Sequence, residues 1–410
     1  REQEINALLH DVDIIADGGA SFRFIVGKYG SGKSFLLQTI RSYVMDRNFV
    51  VVDADLSPER RLQGTKGQGL ATYKELIRNM STKTRPDGGA LTLILDRWIS
   101  NVQSETAAES GLGYPNKPSS FRKAVERKIY EVIGALHEMV HGFDFARLLT
   151  LYYNAYREGD DECKAKVVKW FRGEYNTKTE ARAELGVNII ITDDDWYEYI
   201  KLFAMFLKKA GYSGMLVLID ELVNIYKVPH SITRQYNYEK SPHHVQRHHA
   251  GQAQYLGIIM GGTPQCIEDT RRGVYSYEAL RSRLAEGRFA QEGMRDMLAP
   301  VIHLNALTNE ELLVLTEKLT EIHAQLFGYT PTLTQEDRIL FLQIEFGRIG
   351  ADSHITPREA DSGLYRTAGH HFPEPTDACG RTLQSDQFSY AAAQPEGDQS
   401  VAPEFAEFDI

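Results

Sequence analysis

The sequence predicts an α/β fold with a parallel β-sheet, from three observations. Four short apolar runs have the composition of buried strands, at residues 21–26, 49–56, 215–220 and 255–262. The helical pattern "FLLQTIRSYVMDR" separates the first two at the spacing that is usual in α/β folds. A glycine-rich segment lies between the first run and that helical pattern.

The glycine-rich segment "GKYGSGKS" matches the P-loop (Walker A) pattern G-x-x-x-x-G-K-[ST]. Its glycines let successive backbone N–H groups face a phosphate, Lys33 adds a positive charge toward the β- and γ-phosphates, and Ser34 offers a hydroxyl to Mg²⁺. A glycine-rich turn that matches by chance is the alternative, and the strand–loop–helix context argues against it. The predicted nucleotide-binding residues are Gly27, Lys28, Tyr29, Gly30, Ser31, Gly32, Lys33 and Ser34.

The run "MLVLIDEL" indicates a buried strand that delivers Asp220 and Glu221 to its carboxyl end, the edge where parallel α/β sheets bind ligands. This is a Walker B pattern, in which Asp220 holds Mg²⁺ together with Ser34 and Glu221 polarises the attacking water. A strand that ends in a solvated acidic turn is the alternative. Glu221 favours hydrolysis over binding alone.

Two further segments suggest accessory catalytic residues. "GIIMGGTPQ" predicts a strand that ends in Thr263, a polar residue placed to contact the γ-phosphate or the water as a sensor, although a plain turn would have the same composition. "EALRSRLAEGR" contains Arg281 and Arg283, either of which could be an arginine finger or a solvated helical arginine. Asp53 and Asp55 are interpreted as caps of the "SPERRL" segment.

The domain prediction has three parts. Residues 1–300 form an ATPase domain with a helical insertion at about 57–210, residues 301–383 form a C-terminal helical or winged-helix-like lid, and residues 384–410 form an acidic, disordered tail. The stretch that begins at "VIHLNALTNEELL" is assigned to the helical lid.

Composition limits the function classes. The net charge of −10 argues against a mainly electrostatic nucleic-acid binder, although a local basic face remains open. The cysteines Cys163, Cys266 and Cys379 are too few and too far apart for a disulfide framework, which favours a reducing cytoplasm. No apolar run reaches the length of a membrane helix. Because the chain begins at Arg1, we expect that an upstream segment is missing.

Several segments together resemble one family. Residues 22–41, 50–89, 216–227 and 261–284 resemble the BREX-type ATP-binding proteins of the BrxD kind and the related ATPase of the Shango anti-phage system. The resemblance spans about residues 1–359 and the tail from Gln384. It implies an AAA+-type ATPase that uses ATP and Mg²⁺ in antiviral defence, encoded with a helicase and, in Shango, a TerB-like protein. It also implies that "TPRE" opens a lid helix, which makes Arg358 a candidate second sensor.

Two segments depart from the family pattern. Residues 241–251 are rich in histidine, and residues 360–383 contain glycines and prolines that would interrupt a helix. Because an adjacent reading frame can encode a helical, family-like peptide at both places, we interpret them as compensated frameshifts. A histidine metal site or a basic patch is the alternative for residues 241–251, and resequencing the gene distinguishes these possibilities.

The predicted function is ATP hydrolysis in a bacterial anti-phage system, by a homo-oligomer that acts with a helicase on DNA. Two alternatives share the nucleotide site: a nucleotide-dependent scaffold with little turnover, and an initiator-like ATPase that loads onto DNA.

Overall fold

The computed structural model describes residues 1–110, 118–239, 253–284, 299–328, 330 and 334–349. The chain divides into two compact units. One comprises Arg1–Gly27 and Lys33–Leu304, and the other comprises Lys28–Gly32 and the chain from Asn305 onward. Arg358 and the segments 241–251, 360–383 and 384–410 lie outside the described residues.

The first unit is built on a five-stranded parallel sheet in the order β2-β3-β4-β1-β5. The strands are β1 (Ala20–Gly27), β2 (Val50–Asp55), β3 (Met215–Asp220), β4 (Leu256–Gly262) and β5 (Val301–Leu304). The prediction of a parallel sheet with four of these strands is therefore confirmed. The assignment of residues 301–304 to the helical lid is wrong, because they pair with β1 from Phe24↔Val301 to Gly27↔Leu304.

Helices surround the sheet and separate its strands in the chain. The helix α1 (Glu2–Ala16) precedes β1, and α2 (Lys33–Asp46) joins β1 to β2. The connection from β2 to β3 contains α3 (Gln68–Arg78), α4 (Leu91–Ser110), α5 (Pro118–Gly134), α6 (Gly142–Glu158), α7 (Asp161–Phe171), α8 (Lys178–Leu185) and α9 (Trp196–Lys209). After β3 come α10 (Val223–Tyr226) and α11 (Ser231–Glu239), and after β4 come α12 (Pro264–Glu268) and α13 (Glu278–Leu284).

Both faces of the sheet are buried, which explains why its strands are almost continuously apolar. Along β1, Ile25 packs in a core with α1 and α2, whereas its neighbours Phe24 and Val26 pack on the opposite face in the larger core that contains α3 to α9. Each fully buried side chain of this size contributes about 1.5–3 kcal/mol to folding. The sheet is therefore a rigid platform for the residues at its carboxyl edge.

The second unit contains α14 (Asn309–Phe327) and α15 (Gln335–Ile349). A capping box starts α14: Thr308 Oγ1 accepts from the backbone N–H of Glu311, and the Glu311 carboxylate accepts from the N–H of Thr308. Leu312, Phe341 and Leu342 form its small core. In the part of the chain that the structure describes, no helix is both long and apolar enough to cross a membrane.

Candidate functional site

The segment 27–34 joins the end of β1 to the start of α2. Gly30 and Gly32 have φ values of 74° and 85°, in the left-handed region that glycine adopts without strain. The backbone N–H of Ser31 donates to the carbonyl of Lys28 at 3.1 Å, which closes a tight turn between them. The two glycines therefore explain how this sequence turns sharply from a strand into a helix.

Lys33 is the first residue of α2, and its ammonium group is partly buried. Its Nζ donates a hydrogen bond to the carbonyl of Gly27 at 2.9 Å. Burial lowers the pKa of Lys33, while the carboxylates of Asp220 and Glu221 oppose that shift. The cation is thus held at the carboxyl end of β1, where the charges of the acidic residues that end β3 act on it.

Ser34 and Asp220 connect the two predicted halves of the site. Ser34 Oγ donates to Asp220 Oδ2 at 3.1 Å, although the two residues are 186 positions apart in the chain. The parallel sheet makes this possible, because it delivers the carboxyl ends of β1 and β3 to one edge. The two residues predicted to hold Mg²⁺ are therefore neighbours in the structure, and their role as ligands stays a prediction.

Two close contacts orient the Asp220 carboxylate. The backbone N–H of Glu221 donates to Asp220 Oδ1 at 2.8 Å. On β4, Gly261 lies against the same oxygen, and a Cβ at this position would overlap it. The glycine is needed here because only a residue without a side chain leaves room for the carboxylate.

Glu221 adopts an unusual backbone conformation, with a φ of 61° in the left-handed region. A non-glycine residue there carries a strain of about 1–3 kcal/mol, which is common at functional sites. Its side chain is exposed at the edge of the sheet. Partial burial raises the pKa of Glu221 above its ordinary value, and the neighbouring charges of Asp220 and Asp55 raise it further.

Asp55 belongs to this acidic edge, which the sequence interpretation missed. It lies opposite Asp220 in the register of β2 and β3, and burial followed by the charge of Asp220 raises its pKa. The interpretation of Asp55 as a cap of the next segment is wrong, because the Ser57 hydroxyl accepts the N–H groups of Glu59 and Arg60 instead. No short-range pattern could have revealed Asp55, because its neighbourhood depends on strand pairing.

Asp53 also does not cap that segment. Its carboxylate accepts a hydrogen bond from Asn79 Nδ2 at 3.2 Å and forms an ion pair with Arg41 at 3.5 Å. Burial raises the pKa of Asp53, and the nearby guanidinium of Arg41 opposes that shift. Asp53 therefore ties β2 to α2 and α3.

Thr263 follows the end of β4, between the strands that carry the loop and Asp220. Its hydroxyl lies 3.1 Å from the Sγ of Cys266, a buried residue of α12. Burial raises the pKa of Cys266, while Thr263 and the charge of Lys33 lower it. Thr263 thus lies at the tip of the strand that neighbours β3, and its role as a sensor stays a prediction. Cys266 is an additional neighbour that the sequence did not single out.

A scan against family models matches residues 1–361 to the model described as BREX system ATP-binding protein BrxC/D. The chain belongs to this BrxC/D family. The matched region contains the whole sheet and every residue described above, and it ends just beyond the "TPRE" segment. A search among curated proteins finds no match.

The family match also includes the three candidate arginines. The structure describes Arg281 in full, the backbone of Arg283, and nothing of Arg358. Arg281 lies on α13 with its side chain exposed, and among the described residues no carboxylate forms an ion pair with it. Arg283 lies on the same helix, but its side chain is outside the described part, as is the whole of Arg358. Their predicted roles stay predictions.

Proposed function

We propose that this BrxC/D-family chain is a Mg²⁺-dependent, AAA+-like ATPase of an anti-phage defence system. The observation that carries the proposal is the hydrogen bond between Ser34 and Asp220, with Lys33 beside it. A hydroxyl, a carboxylate and an ammonium group converge at the start of α2. The two glycines that precede α2 in the chain adopt a conformation that suits phosphate binding. These are the chemical groups that a nucleoside triphosphate and its cation require.

The strand order supports the AAA+-like assignment. Because β4 lies between β1 and β3, the residue that follows β4 stands between the end of β1 and the acidic residues that end β3. Thr263 occupies that position and is half-buried. We propose that it contacts the γ-phosphate or the attacking water and so reports which nucleotide is bound.

The residues present fit a Mg²⁺ ion. Ser34 and Asp220 supply the hard oxygen donors that this ion prefers, and Gly261 leaves space for the carboxylate. Among the described residues, no three His, Cys, Asp or Glu side chains form a metal-binding group. Two protein donors are sufficient for an ion that usually keeps several waters and nucleotide phosphate oxygens as ligands. When bound, Mg²⁺ would neutralise charge on the β- and γ-phosphates.

Glu221 is the residue proposed to act on water. Its left-handed φ sets the direction in which the side chain leaves the strand, and its exposed carboxylate can accept a hydrogen bond from a water molecule. The water oxygen attacks the γ-phosphorus, the bond to the ADP oxygen breaks, and the water proton passes to the carboxylate or to solvent. A raised pKa makes Glu221 a better proton acceptor.

The wider assembly is also part of the proposal. Exposed Arg281, or its neighbour Arg283, acts as a finger on the nucleotide of an adjacent copy in a homo-oligomer, and Arg358 is a second sensor on a C-terminal lid. The family membership favours a role in defence together with a helicase on DNA, and with a TerB-like protein if the system is of the Shango type.

Steady-state ATPase measurement of the purified chain tests this function. We expect Mg²⁺-dependent ATP turnover that DNA or the helicase increases, and we expect Glu221→Gln to slow it by about 10²- to 10⁴-fold while ATP remains bound. Glu59→Gln, which changes an exposed glutamate on the turn after β2, is the matched control. Tight ATP binding without turnover in the wild type would instead favour the scaffold alternative.

A further inference from the structure

A large cleft lies in the first unit. Its volume is about 1110 Å³, and none of its lining residues belongs to the loop 27–34 or to the end of β3. One wall is the glycine-rich stretch after β2, another is the start of α9, and a third is α11 with the turn that precedes it. A hydrogen bond from the backbone N–H of Gln63 to Asn237 Oδ1, at 3.0 Å, joins the first and third walls.

Aromatic side chains form much of the cleft surface. Trp196 and Tyr197 are buried in its wall, and Tyr277 is half-buried. Tyr236, on α11, is 56% exposed. An exposed ring at the mouth of a largely apolar cleft offers a flat surface for stacking.

Three carboxylates of the cleft have a side-chain partner, whereas two basic side chains have no carboxylate beside them among the described residues. The carboxylate of Glu198 pairs with Lys201 at 2.7 Å, that of Asp194 accepts from Gln63 at 3.0 Å, and that of Glu239 accepts from Gln235 at 2.9 Å. Arg61 and Lys66 also line the cleft, and no carboxylate of the described residues lies within ion-pair distance of either. The buried Nε of Arg61 has no hydrogen-bond partner among those residues.

These features complement a ligand that combines a flat ring with a negative charge. We propose that the cleft binds a nucleotide unit, with its base stacked on Tyr236 and its phosphate near Lys66 and Arg61. The unit could be part of a single DNA strand or a free mononucleotide, since both present the same base and phosphate. Few phosphate contacts are implied, in keeping with the net charge of −10.

Fluorescence anisotropy of a labelled oligo-dT of about ten nucleotides tests the proposal. The full chain is used with a saturating non-hydrolysable ATP analogue. The analogue occupies the P-loop, so that the labelled oligonucleotide cannot bind there. We expect Tyr236→Ala to weaken binding by about tenfold, the loss of one stacked base. Lys66→Ala should weaken it by about threefold and reduce its salt dependence.

Matched controls separate the cleft from general surface effects. Tyr130→Ala removes another exposed tyrosine, on α5, and Lys178→Ala removes another exposed lysine, on α8; neither residue lines the cleft. Both should bind the oligonucleotide like the wild type. Competition by unlabelled dTMP shows which of the two ligands the cleft binds. If dTMP and the oligonucleotide bind with equal affinity, the cleft is a mononucleotide site. If the oligonucleotide binds more tightly than dTMP, the cleft binds a single strand.

The proposal is overturned if neither the oligonucleotide nor dTMP binds at protein concentrations up to about 100 μM, the upper range of non-specific nucleic-acid binding. It is also overturned if oligonucleotide binding is unchanged in Tyr236→Ala and Lys66→Ala. Circular dichroism melts of each variant show whether a loss of binding reflects loss of the fold.

Discussion

Gly261 lies directly against the carboxylate of Asp220, so that a Cβ at position 261 would overlap Oδ1 and come within 2.9 Å of Cγ. The two residues belong to neighbouring strands, β4 and β3. The space beside the proposed Mg²⁺ ligand therefore depends on a missing side chain in the next strand.

This contact predicts a specific effect of Gly261→Ala. The added methyl group should displace the Asp220 carboxylate, and we expect ATP turnover to fall by about tenfold or more, because overpacking in a rigid strand costs about 1–3 kcal/mol. The Mg²⁺ concentration needed for half-maximal rate should rise. Gly134→Ala is the control, since a Cβ there has no neighbour within 4 Å. An unchanged Mg²⁺ dependence in Gly261→Ala would show that Asp220 does not hold the ion.

A second prediction concerns Lys33. Its ammonium group is desolvated beside the loop and must exchange the Gly27 carbonyl for a phosphate oxygen. Lys33→Ala should weaken ATP binding by at least about tenfold, since a charge-assisted hydrogen bond contributes about 1.5–3 kcal/mol. Isothermal titration calorimetry with the ATP analogue measures the change, and Lys178→Ala is the control. Undiminished affinity would exclude the loop as the nucleotide site.

A third prediction concerns pH. Glu221 must be ionised to accept a proton, and its pKa lies above the ordinary value of 4.5, so kcat should fall on acidification at a higher pH than for an ordinary glutamate. Asp55→Asn removes a negative neighbour and should move this loss to lower pH. Lys227→Ala removes a positive neighbour that lowers the pKa, and should move the loss to higher pH.

The pH at which kcat falls is found by measuring kcat at saturating ATP across the pH range. Lys178→Ala is the control, in which this pH should not change. If neither substitution moves the pH at which kcat falls, a carboxylate other than Glu221 limits the rate.

A fourth prediction concerns assembly. Whichever of Arg281 and Arg283 acts across a subunit interface, the alanine variant of that arginine should lose ATPase activity. Mixing Arg281→Ala or Arg283→Ala subunits with Glu221→Gln subunits should then restore part of the activity. At some interfaces the intact arginine of one subunit meets the intact Glu221 of its neighbour. The ATPase rate of the mixtures is compared with the sum of the separate proteins. A monomer that hydrolyses ATP at full rate with DNA and helicase present would exclude a finger in trans.

Much of the nucleotide site could be predicted because its parts are local. The segment "GKYGSGKS" contains the glycines that permit the turn and the lysine and serine that follow it, all within eight consecutive residues. The apolar run before Asp220 indicates a strand buried on both faces. Strands β1 to β4 were recognisable for the same reason.

Strand β5 was not recognisable. Its four residues include His303 and lead, after a short connection, into the strong helical pattern of α14. It becomes a strand by pairing with β1 from Phe24↔Val301 to Gly27↔Leu304, and it has no local signal of its own. The two strands are far apart in the chain, so only the tertiary structure brings them together.

Tertiary structure alone decided how these local parts combine. The order β2-β3-β4-β1-β5 places Thr263 between the end of β1 and Asp220, brings Ser34 to Asp220, and sets Asp55 opposite Asp220. The left-handed φ of Glu221 and the contact of Gly261 with Asp220 follow from the same packing. The sequence by itself determined which chemical groups this protein has for binding a nucleotide, because short-range backbone preferences encode the loop and the strands. Only the fold determined which of those groups meet, because strand pairing depends on contacts between segments that are far apart in the chain.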